Sequence, residues 1–117
     1  MNNAITSLTQ NIKNTLINII GDDEEIINDL VQTYKDDTQE LMKSLHEAIV
    51  SHDLKTITLV SHTLKSSSGN LGAYQLAELA DKQERLTRAG DIDMVVTQLP
   101  QLEAEYKRVC LALQLLN

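Results

Sequence analysis

Apolar residues recur at spacings of three and four along almost the whole chain, and only four Gly and one Pro interrupt them. That periodicity is the signature of helices rather than strands. Residues 5–20 place Ile5, Leu8, Ile12, Leu16 and Ile19 on one stripe, and Gly21 ends it. Asp22, with Glu25 three residues later, follows the logic of a capping box and opens a long helix over about 23–51. Its expected buried stripe is Ile27, Leu30, Tyr34, Thr38, Leu41, Leu45, Ala48 and Ile49. Asp53 is placed to cap a third helix carrying Ile57, Val60 and Leu64, and Ser68-Gly69-Asn70-Leu71-Gly72 reads as its end and a tight connection. A fourth helix over about 73–89 carries Leu76, Leu79, Ala80 and Leu86 and closes at Gly90. Asp91 opens a last helix to about 116, expected to be interrupted or kinked near Pro100. The predicted fold is all-α: an up-and-down four-helix bundle over about 22–116 with an additional N-terminal helix at about 5–20. Residues 1–117 read as one domain.

Composition removes several classes. The chain has no Trp, no Phe and three Tyr, so its apolar content is almost wholly aliphatic. A single cysteine, Cys110, cannot form an internal disulfide and points to a reducing compartment. No apolar run approaches the roughly 18 residues of a membrane span. The start Met1-Asn2-Asn3-Ala4 lacks the charged and apolar segments of a signal peptide. A cytoplasmic domain without membrane contact is expected. The formal charge of −7 opposes nucleic-acid binding, and three Tyr are too few for base stacking. Its concentrations, Asp22-Asp23-Glu24-Glu25 and Asp36-Asp37, read first as solvated helix faces and second as selection for a basic partner.

Common enzyme signatures are missing: the sequence has no phosphate loop, no HExxH, and no Glu-x-x-His pair for a di-metal site. Cys110 sits in an apolar stretch and reads as a buried small hydrophobe; His46 and His52 read as surface residues. His62 differs in its neighbours. At 100° per residue it shares a helix face with Thr58, Lys65, Ser66 and Gly69, away from Ile57, Val60 and Leu64, with Leu59 at the margin. That face is small, polar and basic in an acidic protein. Another macromolecule could approach the imidazole closely, and Lys65 could pair with an anion placed on it. A neutral imidazole is a competent nucleophile towards an activated phosphoryl group. The plain alternative is a merely solvent-exposed histidine.

The stretch His62-Thr63-Leu64-Lys65-Ser66-Ser67-Ser68-Gly69-Asn70-Leu71-Gly72-Ala73 resembles the phosphoacceptor motif of histidine-containing phosphotransfer (HPt) domains, His-x-Leu-Lys-Gly-Ser-Ser followed by Gly-Ala. The similarity extends over about 20–117, through Gly21-Asp22, Tyr34 in a usual aromatic position, Ala48, Asp53, Leu76, Leu79, Glu84, Arg88 and Gly90-Asp91. Two positions depart from the pattern. Ser66 stands where Gly is frequent, and Gln83 stands where a Leu commonly precedes the acidic position. The resemblance implies that His62 accepts the phosphoryl group on a ring nitrogen, Nε2, while Lys65 helps to hold its charge. It implies further that Glu84, on the facing helix, hydrogen-bonds the other nitrogen, which would fix the tautomer and raise the basicity of Nε2. Arg88 would add positive charge. Thr58, Leu59, Ser66, Ser67 and Gly69 would shape the partner surface, although Ser67 has an alternative role within its own helix.

The function so implied is phosphoryl carriage in a multistep His-Asp phosphorelay, without autokinase activity. The expected partners are receiver domains of a hybrid sensor kinase and of a response regulator, with the chain itself a monomer. No cofactor or metal is expected on this chain; Mg²⁺ is expected on the receiver. Two alternatives stay open: a non-transferring helical interaction module, and the phosphoacceptor part of a histidine kinase. Thr63 in place of an acidic residue after the histidine, and no Pro a turn later, speak against the second.

Overall fold

The computed structural model describes residues 3–116; the reading of Met1 and Asn2 as free of a signal segment lies outside them. Five helices follow one another: α1 (Asn3–Ile20), α2 (Glu24–Val50), α3 (Leu54–Leu71), α4 (Tyr74–Arg88) and α5 (Ile92–Gln114). The links from α2 to α5 are short, so these four helices pack beside their sequence neighbours and alternate in direction. α3 makes its most extensive contact with α4, α2 lies on α3, α5 on α4, and α2 and α5 close the ring. α1 lies mainly against α5, where Thr9 Oγ1 donates to the carbonyl of Ala112 at 3.0 Å. This is the four-helix bundle with an extra N-terminal helix.

The core is aliphatic as composition requires. Ile12, Leu45, Ile57, Leu64, Leu76, Val95, Leu102 and Val109 are fully enclosed. Each such side chain contributes roughly 1.5–3 kcal/mol relative to exposure. Tyr34 is the buried aromatic residue, and its hydroxyl lies 2.9 Å from Ser68 Oγ, so this polar end is satisfied where water is excluded. Burial pushes its phenol well above the usual range. Gln83, the departure noted in the motif, is fully buried and its Nε2 donates to the carbonyl of Val95 on α5. The amide thus ties α4 to α5 where an aliphatic side chain would only pack.

Several local expectations change. Ile19 is 65% exposed and Leu30 is also exposed, whereas Val31, one residue on from Leu30, is buried. The stripe is correct to within one helical position, and the covering helix decides which flank is sheltered. The N-cap of α2 is Asp23, not Asp22: its side chain accepts from the backbone N–H groups of Glu25 and Ile26. Asp53 caps α3 by accepting from Thr56 N–H. α3 does not end at Ser68 but continues to Leu71. Its stop is Gly72, at φ +93°, with Gly72 N–H on the Gly69 carbonyl and Ala73 N–H on the Ser68 carbonyl, a Schellman-type closure. α5 runs unbroken through Pro100. The missing N–H frees the Val96 carbonyl, and Val96 is exposed, so water can satisfy it. Cys110 is only half-buried.

Candidate functional site

The hairpin of α3 and α4 brings the site together. From His62 the chain runs nearly three turns to Gly72 and returns along α4 to Glu84. Glu84 faces the bundle and its side chain is only 9% exposed, while that of His62 is 57% exposed. The two carboxylate oxygens stand 3.3 and 3.2 Å from His62 Nδ1. Among the described residues none hydrogen-bonds Nε2. A carboxylate at Nδ1 favours the tautomer with the proton there and leaves the Nε2 lone pair outward.

Glu84 is itself fixed from the far side. Arg88 donates to Glu84 Oε2 through Nη2 at 2.8 Å and Nε at 3.2 Å. The Arg88 guanidinium, followed by His62, holds the Glu84 carboxyl below the usual glutamate range, against the opposing effect of burial. The guanidinium of Arg88 is therefore engaged by Glu84, the same carboxylate that meets the imidazole. Lys65 Nζ lies 3.0 Å from Asp81 Oδ1 and 4.0 Å from Glu84 Oε1. Asp81 Oδ2 also accepts from Arg85 Nε at 2.9 Å. Three cations and two carboxylates thus line this side of the hairpin. The surface is locally basic in an acidic protein.

The remaining candidates divide. Thr58, Leu59, His62 and Arg88 line one shallow depression together with Lys55. Leu59 is not marginal but 64% exposed, an apolar contact surface beside the imidazole. Thr58 directs its hydroxyl to the Leu54 carbonyl, and Ser66 is exposed on the same face. Gly69 faces Ala77 on α4, where an added Cβ would meet only ordinary contact at 3.9 Å. Ser67 does not join the site: its hydroxyl donates to the Thr63 carbonyl, and its side chain borders a different groove with Tyr34 and Asn70. Among the described residues no group of three or more His, Cys, Asp or Glu side chains converges as a metal site would. No helix of these residues is long and apolar enough to cross a membrane.

Sequence reasoning missed Asp81 and Arg85. Their spacing of four on one helix was visible. Their reach to Lys65 depends on the α3–α4 register, which spacing along one helix does not carry.

Residues 29–112 match the family model described as the Hpt domain. The chain is similar in structure to histidine-containing phosphotransfer protein B (HptB) from Pseudomonas aeruginosa PAO1, with a TM-score of 0.78, 26% sequence identity and 88% of each chain covered. No curated protein matches the chain.

Proposed function

The chain belongs to the Hpt domain family, whose members are phosphocarriers rather than enzymes, and from that premise we propose that it relays phosphate through His62 between two receiver domains. One receiver belongs to a hybrid sensor kinase and carries an aspartyl phosphate; the other belongs to a response regulator and takes the group onward. The observation that supports this reading is the pairing of Glu84 with His62 Nδ1, which leaves Nε2 outward on an exposed face.

In the accepting step the Nε2 lone pair attacks phosphorus, the N–P bond forms, and the P–O bond to the receiver aspartate breaks. The aspartate leaves as a carboxylate with the bonding electrons. The ring acquires positive charge, and the Nδ1–H shares it with Glu84 through a charge-assisted hydrogen bond. The return step reverses each of these. Receiver-bound Mg²⁺ supplies the charge stabilisation at the phosphoryl oxygens, so the carrier has no need of a nucleotide site and no autokinase activity. Leu59, Thr58 and Ser66 provide the surface on which the receiver rests. The protein acts as a monomer in the cytoplasm, in keeping with its lone half-buried cysteine.

The test uses a receiver domain charged with acetyl phosphate. Label should move to the chain, be acid-labile and alkali-stable, and be lost in His62→Gln with thermal unfolding unchanged. If His62→Gln is labelled as strongly as the wild type, this reading fails. A wild-type chain that takes no label from any receiver in a broad panel would favour the interaction module instead.

A further inference from the structure

Lys65 stands one turn beyond His62 on α3, yet its ammonium reaches across to α4 and meets Asp81 at 3.0 Å. Asp81 is shared between two cations, since Arg85 Nε occupies its other oxygen at 2.9 Å. Neither Asp81 nor Arg85 makes a hydrogen bond or ion pair with His62. The cation assigned to hold phosphate is thus already held by a carboxylate that has no contact with the acceptor ring.

On the reading of His62 as phosphoacceptor, we infer that Asp81 is a positioning residue that restrains Lys65 in the unphosphorylated protein and releases it when a phosphoryl group occupies His62. Three observations carry this. A phosphoryl group on a side chain bears about −1.5 to −2 charge near pH 7, against the single shared charge of Asp81, so it competes well for the ammonium. The side chains of Lys65 and Asp81 stay 42% and 34% exposed, so neither is locked by packing, and the four-carbon stem of lysine can re-aim. Arg85 Nε holds the other Asp81 oxygen, so the carboxylate would keep a partner on losing Lys65. The strength of the Lys65–Asp81 pair therefore sets how firmly the phosphorylated form is held.

The experiment charges the protein with phosphoramidate, which releases ammonia as the N–P bond to histidine forms. The donor is then removed and the decay of phosphohistidine is followed by phosphorus NMR. Asp81→Asn should lengthen the half-life about two- to fivefold, the scale of a partly exposed ion pair. Asp81→Glu should match the wild type. In a Lys65→Ala background Asp81→Asn should have no effect. The inference is overturned if Asp81→Asn leaves the half-life unchanged or shortens it, or lengthens it equally without Lys65. His62→Gln separates the two levels. If that variant charges like the wild type, the phosphoacceptor reading itself fails. If label depends on His62 but its lifetime ignores Asp81, only the role of Asp81 is lost.

Discussion

Glu84 meets His62 at Nδ1 with both carboxylate oxygens, at 3.3 and 3.2 Å, while Arg88 closes on the same carboxylate from its own helix at 2.8 Å. The acceptor ring is thereby oriented by a residue that is buried, charged and held from two sides, although the ring itself is exposed.

Removal of that carboxylate should slow phosphoryl acceptance without removing the acceptor. A hydrogen bond to a charged group contributes about 1.5–3 kcal/mol, or roughly 10- to 100-fold in rate if it acts fully on the transition state. The exposed ring lowers that to about tenfold for Glu84→Ala. Glu84→Gln keeps an acceptor oxygen at Nδ1 and should lose less. Rates of label transfer from one charged receiver measure both; equal rates for all three proteins would remove Glu84 from the step.

Acid should weaken the fold partly through Glu84. Its folded carboxyl titrates below the ordinary value of 4.5, chiefly because of Arg88 and then His62. A group depressed in this way contributes stability in full above about 4.5, and that contribution fades as pH falls through the lower folded value. Asp81, held by Lys65 and Arg85, adds an effect of the same sign below its ordinary value of 3.8. Urea midpoints taken at pH 7 and at pH 3 should therefore fall more for the wild type than for Glu84→Gln. An equal fall would show that other carboxylates carry the acid limb.

The buried pair of Tyr34 and Ser68 ties α2 to α3 within the motif itself. Tyr34→Phe leaves the Ser68 hydroxyl without that partner in an enclosed space and should cost about 1–2 kcal/mol of unfolding free energy. Ser68→Ala should cost a similar amount. Combining the two should cost less than the sum, because the second change removes an atom already orphaned. Additivity in equilibrium denaturation would count against the pair.

Gly72 is required twice over. Its φ of +93° is unfavourable for any side chain, and an added Cβ would lie 2.6 Å from Thr15 Oγ1 and 3.0 Å from Thr15 Cβ. Gly72→Ala should cost about 1–2 kcal/mol from the backbone alone, and more from the collision with α1. Thr15→Ala in the same chain should recover only part of the loss, since Cβ remains and the backbone strain is untouched. Full recovery in a urea melt would place the whole cost in the clash.

The number and order of the helices were legible in the sequence, because aliphatic spacing of three and four and Asp caps at Asp53 and Asp91 are local signals. The face that bears His62 was legible too, because Thr58, Lys65 and Ser66 follow from the helical period alone. Their meaning as a phosphoacceptor motif came from resemblance and not from the period. Tertiary structure decided the rest. Leu30 and Val31 sit on either flank of one stripe, and only the packing of neighbouring helices leaves the first exposed and buries the second. Ser67 follows His62 closely in the motif but faces another groove, since five residues carry it well round the helix. The engagement of Arg88 by Glu84 and of Lys65 by Asp81 gives the locally basic surface a fixed set of charge pairs. Pairing between α3 and α4 depends on the register of two packed helices, which Gly72 and the core residues set together. A helix carries its own period in its sequence; what stands opposite it is a property of the fold.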